Sequence, residues 1–267
     1  MNRIDQLFSQ KQQRVLNVYC TAGYPQLNST VPVMQSLQQH GADLIELGMP
    51  YSDPLADGPV IQASGSKAIE NGMTIDTLFA QLENMRKVPV GEDNNNGGSI
   101  HVPVVLMGYM NPVLQYGFEN FCAAAARVGI DGLILPDLPM FEFNTEYGAI
   151  VKKYGLHFIF LVTPETSDER IQQLDQRTGG FLYAVSSSST TGTNKNFASL
   201  ENYFSKLQKL ELKNPVLVGF GIKDKASFGE ACKYANGAII GSAYIQALDG
   251  ADDVDAATKS FLEKVIG

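Results

Sequence analysis

Three carboxylates stand close together in the stretch Glu46-Leu-Gly-Met-Pro-Tyr-Ser-Asp-Pro-Leu-Ala-Asp-Gly-Pro-Val-Ile-Gln62. Glu46 falls in a short run, residues 42–47, that reads as a strand. Side chains alternate along a strand, so Leu44, Glu46 and Gly48 face one way and Ile45, Leu47 and Met49 the other. A strand that is apolar on both faces is a buried one, and Glu46 is therefore a carboxylate carried into an interior. Charges are rarely buried without a partner or a purpose. Asp53 and Asp57 follow in a loop stiffened by Pro50, Pro54 and Pro59. Burial raises the pKa of Glu46 toward neutrality, while a wetter Asp57 stays ionised. Two carboxyl groups in different environments make an acid/base pair. The alternative is that Glu46 is a satisfied structural acid and the two aspartates cap turns.

Two further constellations concern anions and closure. Gly219-Phe-Gly-Ile222 and Gly241-Ser242 each follow an apolar run near the end of the chain. Glycine lets backbone N–H groups approach a ligand that a side chain would hold off, and N–H groups at a helix start bind phosphate. A lone Gly-x-Gly says little, since glycines also stop strands, but the pair of loops together points to a phosphate site. Ser186-Ser-Ser-Ser-Thr-Thr-Gly-Thr-Asn194 has the composition of a flexible linker. Over the mouth of a site, the same polar loop reads as a lid.

The elements that must hold these residues are visible as a repeat of short apolar runs and amphipathic stretches. Residues 2–12 read as a leading helix. Strands are expected at 15–20, 43–48, 103–108, 132–135, 156–162, 181–186, 215–219 and 237–241. Helical patterns are expected at 29–40, 60–70, 75–87, 118–128, 141–154, 167–177, 197–210 and 226–234, and through the C-terminal stretch to 266. Gly41 stops the helix before the second strand, and Ser167 is a good N-cap. Eight strands, each followed by a helix, predict one α/β domain, a single (β/α)8 TIM barrel over 1–267 with a short extra N-terminal helix. A doubly wound open sheet, the runner-up, normally stops at five or six strands. In a TIM barrel the loops after the strands' C-terminal ends form the site, with phosphate at the last two. Every residue singled out above falls on such a loop or on the strand end feeding it. Tyr183, on the sixth strand, would face the mouth and either hydrogen-bond Glu46 or pack on an aromatic substrate; otherwise it is a core tyrosine.

Composition narrows the function. The chain has 267 residues, 44% hydrophobic and 18% charged, with a formal net charge of −8 and scattered basic residues. That argues against nucleic acid, which asks for clustered Lys and Arg. Cys20, Cys122 and Cys232 are too few and too far apart for a disulfide framework or a zinc motif. His40, His101 and His157 pair with no Cys, Ser or acid at ligand or triad spacing, so neither a metal nor a nucleophile is assigned. The first residues lack the apolar core of a signal peptide, and no run has the length of a membrane span. A cytoplasmic enzyme without membrane contact is expected. The polar tract 91–98 reads as a surface insertion.

The stretch from Glu46 to Gln62 resembles the signature of the tryptophan synthase alpha chain family, with further matches in the same order from Val18 to Ser242. The resemblance implies cofactor-free retro-aldol cleavage of indole-3-glycerol phosphate to indole and glyceraldehyde 3-phosphate. It implies Glu46 and Asp57 as the catalytic pair, and Tyr19, Ile61, Leu106, Leu135, Tyr183 and Phe220 around the substrate. It also implies Thr191 and Gly192 in the lid, and Gly221, Gly241 and Ser242 on the phosphate. Where the family's lid commonly carries an Arg and a Gly, this chain has Ser187 and Ser189; the departure bears on lid contacts, not on the acid/base pair. Family members pair with a beta chain that carries pyridoxal phosphate and receives indole through a tunnel, so an alpha2-beta2 hetero-tetramer is implied, with Pro50, Asp53 and Pro54 at the interface. The rivals are another phosphate-binding barrel, which would show a lysine at a strand end or a different acid pattern, and a weakly catalytic barrel that mainly activates the beta chain.

Overall fold

The computed structural model describes residues 1–87, 98–185, 197–219 and 221–267. Among the described residues nine parallel strands run β1 (Val15–Thr21), β2 (Leu44–Gly48), β3 (Val104–Met107), β4 (Gly132–Ile134), β5 (His157–Phe158), β6 (Leu161–Val162), β7 (Leu182–Val185), β8 (Val216–Gly219) and β9 (Gly237–Ile240). Their order in the sheet is β5-β4-β3-β2-β1-β9-β8-β7-β6. The two end strands are neighbours in the chain, with only Ile159 and Phe160 between them. The Ile159 N–H bonds the Leu133 carbonyl at 3.0 Å and the Tyr183 N–H bonds the Phe160 carbonyl at 3.0 Å. The expected fifth strand thus hands its ladder from β4 to β7, and the sheet closes on itself as an eight-stave TIM barrel.

The period of two sorts the side chains as a closed barrel requires. Val15, Leu44, Val105, Ile134, Ile159, Phe181, Leu217 and Ile239 form the inner cluster. Leu16, Val18, Ile45, Leu47, Leu106, Leu133, Val218 and Ile240 belong to the outer layer that packs on the helices. The leading helix (Arg3–Gln10) closes one end: Ile4 and Phe8, one turn apart on one face, join the inner cluster. The Asn2 side chain accepts the Ile4 N–H, capping that helix, and its amide donates to the Asp131 carbonyl at 2.8 Å. Ile4→Ala is expected to cost about 3 kcal/mol, because Ile4 is fully buried in the inner cluster and its truncation leaves a void. Urea denaturation should show the loss, while kcat stays close to wild type, since the plug sits at the end of the barrel opposite the strands' C-terminal ends.

Helix boundaries depart from expectation where the cause is non-local. The helix at Met110–Tyr116 is absent from the expected pattern; its N-terminus is capped from another loop, the Asp137 carboxylate accepting the Met110 N–H at 3.0 and 3.1 Å. Pro112 falls in its first turn, where a missing N–H costs nothing. The helix expected at 75–87 stops at Leu82. The one expected at 141–154 is interrupted by a wider turn at Phe143–Tyr147. The last helical pattern is two helices, Ser242–Leu248 and Val254–Ile266.

Candidate active site

Above the inner apolar layer, the barrel axis turns polar. Asn17 and Tyr19 on β1, Glu46 on β2 and Tyr183 on β7 are next in the inward-facing rows, and Glu46 is 1% exposed. Burial pushes its carboxyl up to about 8, an effect increased by Asp57 and opposed by a hydrogen bond from the Asn17 amide at 3.0 Å. Glu46 is therefore an acid that holds its proton at neutral pH. The same burial drives the phenols of Tyr19 and Tyr183 far above their usual range, so both are neutral donors.

Asp57 arrives from the loop after β2. Tight turns shape that loop, the Leu55 N–H bonding the Asp53 carbonyl at 2.9 Å and the Asp57 N–H the Pro54 carbonyl at 3.1 Å. Gly58 and Pro59 then open the Pro59–Glu70 helix, and Ile61 lies in its first turn. The Tyr109 hydroxyl, from the loop after β3, fixes the segment from the other side. It accepts the Ala56 N–H at 3.1 Å and donates to the Asp57 carboxylate. Asp57 is less wet than expected, and burial lifts it to about 6 despite that hydrogen bond. At pH 7 it is still ionised by about ten to one, so the two carboxyl groups stand in opposite protonation states.

A cavity of about 670 Å³ opens between these groups. Tyr19, Glu46, Asp57, Ile61, Tyr183, Gly221, Gly241 and Ser242 all line it, which brings together most of the residues singled out in the sequence. Gly221, at φ +37°, has open space where a Cβ would stand, and Gly241 precedes the short Ser242–Leu248 helix. The first backbone N–H groups of that helix have no intrahelical partners, and a glycine from each of the two loops lines the cavity. Gly48 and Gly219 act differently, since a Cβ at either would collide with the ring of Tyr19 or Tyr183. These two glycines seat the tyrosines.

Two expectations on the wall are corrected. Leu106 and Leu135 pack in the outer layer, away from the barrel axis. Strand alternation places Met107 inward from β3, and the cavity is bordered there by Met107 and Pro136 instead. Thr191, Gly192 and Phe220, with Ser187, Ser189 and most of the 91–98 tract, lie outside the described residues. Pro50 and Pro54 are half-buried and Asp53 exposed on the loop after β2, bordered by Leu55 at 89% exposure. Sequence reasoning misses Asn17 and Tyr109. Asn17 has a visible signal, a lone amide in the apolar run 15–20 with the same facing as Tyr19. Tyr109 has none, since only the fold brings it to Asp57.

Comparison with known proteins gives the same picture over nearly the whole length. The family model for the tryptophan synthase alpha chain matches residues 6–265. The tryptophan synthase alpha chain of Flavobacterium johnsoniae is 52% identical over 93% of this chain and 94% of its own. That of Bacteroides thetaiotaomicron is 45% identical over 96% of each. Among solved structures, tryptophan synthase subunit alpha from Legionella pneumophila superposes with a TM-score of 0.85 at 34% identity, covering 99% of this chain and 97% of its own. A chain of tryptophan synthase from M. tuberculosis in its aminoacrylate-bound form gives 0.81 at 30%, covering 99% and 100%. The chain belongs to the tryptophan synthase alpha chain family.

Proposed function

We propose that the chain is a carbon–carbon lyase that cleaves indole-3-glycerol phosphate to indole and glyceraldehyde 3-phosphate, with Glu46 as acid and base and Asp57 as the partner of the developing charge. The observation that carries this reading is a buried glutamate and a half-buried aspartate on a single cavity that two glycine-bearing loops also line.

The reaction is a retro-aldol step. Protonation of the indole ring carbon leaves positive charge on the ring nitrogen. Loss of the glycerol hydroxyl proton then drives the O–H electrons into an aldehyde, and the carbon–carbon bond electrons return to the ring. Nothing is oxidised or reduced, and the proton given up at the start is replaced at the end, so the cleavage itself calls on no cofactor. A carboxyl with a pKa near the working pH serves both transfers. Asp57 offers its negative charge where the ring nitrogen becomes positive. Tyr19, Ile61, Met107 and Tyr183 hold the ring, and Gly221, Gly241 and Ser242 take the phosphate. The resemblance adds Thr191, Gly192 and Phe220 to the substrate-binding residues in this reading.

The pH dependence follows with its sign. Asp57 must be ionised, so activity falls below its pKa near 6; Glu46 must start protonated, so activity falls above its pKa near 8. Indole release from indole-3-glycerol phosphate by the full-length chain should give a bell with limbs near these values. A chain that releases no indole at any pH, alone or with a beta chain, would end the proposal. The loop carrying Pro50, Asp53 and Pro54 is read as part of the interface with a tryptophan synthase beta chain, which holds the pyridoxal phosphate, in an alpha2-beta2 assembly in the cytoplasm. Among the described residues no helix is long and apolar enough to cross a membrane.

A further inference from the structure

Among the described residues, Asn17 is the side chain that hydrogen-bonds the Glu46 carboxyl, and it has no part in the chemistry proposed above. It is 0% exposed, and its Nδ2 donates to Glu46 Oε2 at 3.0 Å. Its own Oδ1 is buried and finds no hydrogen-bond partner among the described residues. An unmet acceptor inside a protein costs stability, and an apolar residue would fill this position on an otherwise apolar strand at no such cost. The titratable groups electrostatically linked to Glu46 among the described residues are Tyr19 of β1, Tyr183 of β7 and Asp57 from the loop after β2, with Cys20 acting from the outer face of β1. Burial holds the two phenols and the thiol neutral, and Asp57 repels a second negative charge. The Asn17 amide is the group that acts the other way.

We infer that Asn17 is a positioning residue for this reaction, its amide holding the Glu46 carboxyl in place through both halves of the proton cycle. The orphaned Oδ1 explains why an amide suits this position. When Glu46 is ionised, the NH2 group donates to it in the geometry that the structure shows at Oε2. When Glu46 carries a proton, its O–H needs an acceptor; a half-turn of the amide about its last torsion exchanges oxygen for nitrogen and presents Oδ1 at that place. Each protonation state then keeps one hydrogen bond, and the carboxyl does not swing away between giving and taking the proton. The bond to the carboxylate is charge-assisted and the stronger of the two, so the amide favours the ionised form on balance. It keeps the acid from holding its proton too tightly to deliver it.

The inference rests on Glu46 being the acid and base, and the experiment separates the two. Asn17→Leu matches the amide in shape and removes both hydrogen bonds. With indole-3-glycerol phosphate as substrate, kcat is expected to fall about 10-fold while KM stays within about twofold, because Asn17 touches no substrate. The alkaline limb of the pH profile should move up by about half a pH unit or more, because the donor that favoured the carboxylate is gone. A purely structural asparagine predicts a lower melting temperature with kcat and the alkaline limb unmoved. Should Asn17→Leu not fold, Asn17→Val asks the same with less volume. If Glu46→Gln, run in parallel, is inactive while the Asn17 variant keeps both kcat and the limb, the inference about Asn17 is overturned and the acid/base reading stands. If Glu46→Gln keeps its rate, the acid/base reading falls and this one with it.

Discussion

Glu46→Gln should bring indole release to the background while leaving ligand binding within a fewfold of wild type. Glutamine keeps the length of the side chain and can still accept the Asn17 N–H, so the cavity wall is preserved. It carries no proton to give to the ring carbon and no basic oxygen for the hydroxyl proton, and both transfers fail together. General acid–base groups typically contribute about 10²–10⁴-fold each way, and one group serving both steps puts the loss at or beyond the upper end. Because the proton transfers belong to the transition state, KM or the Kd of a non-cleavable phosphate analogue should hardly move. Stability gives a second, independent readout. In the unfolded chain the carboxyl titrates near 4.5 and in the folded chain near 8. The unfolded state therefore loses its proton first as pH rises, and the group costs folding free energy above about 4.5, increasingly until about 8, at about 1.4 kcal/mol for each tenfold in acidity. Below the lower value the cost vanishes. Glu46→Gln removes it, so the inactive variant should melt above the wild type at pH 8 and level with it at pH 4.5. A variant with near-normal turnover would take Glu46 out of the mechanism.

The barrel was legible because its signal is periodic: eight apolar runs of strand length, each followed by an amphipathic stretch, leave few other folds. The same periodicity made Glu46 stand out, as a charge in a strand apolar on both faces. Periodicity does not place the apolar wall: Leu106 and Leu135, which only the resemblance puts around the substrate, sit on the outer face of β3 and just after β4. A run such as Val104–Met107 is apolar at every position, so hydrophobicity alone cannot say which alternate set faces the axis. Only the register with β2, which pairs Glu46 with Val105, settles it. The long-range contacts were beyond reach for a different reason. The Tyr109 hydroxyl meets Asp57 across two loops, and Asp137 caps a helix 27 residues earlier in the chain; neither leaves a mark in local sequence.

The Asp57 carboxylate carries the second large expectation. Asp57→Asn keeps the shape, and its side-chain oxygen can still accept from Tyr109 and from an indole N–H, so ground-state binding should change little. What goes is the full negative charge at the nitrogen that becomes positive when the ring carbon takes its proton. Charge stabilisation of that kind, inside a site held dry, is typically worth about 10²–10³-fold when one group is removed, and the loss should fall on kcat. The pH profile then offers a finer check, because the two carboxyl groups are electrically linked. The acid limb near 6 belongs to Asp57 and should vanish with it. The alkaline limb should move down from about 8, since Asp57 is one of the causes that hold the Glu46 proton on, but it should stay well above the ordinary carboxylate range because burial, the larger cause, remains. Asn17→Leu moves the same limb in the opposite direction. An Asp57→Asn variant with kcat within about threefold of wild type, or with an alkaline limb that does not move, would separate Asp57 from the charge on the ring and leave it as a turn-forming residue at the start of the Pro59–Glu70 helix.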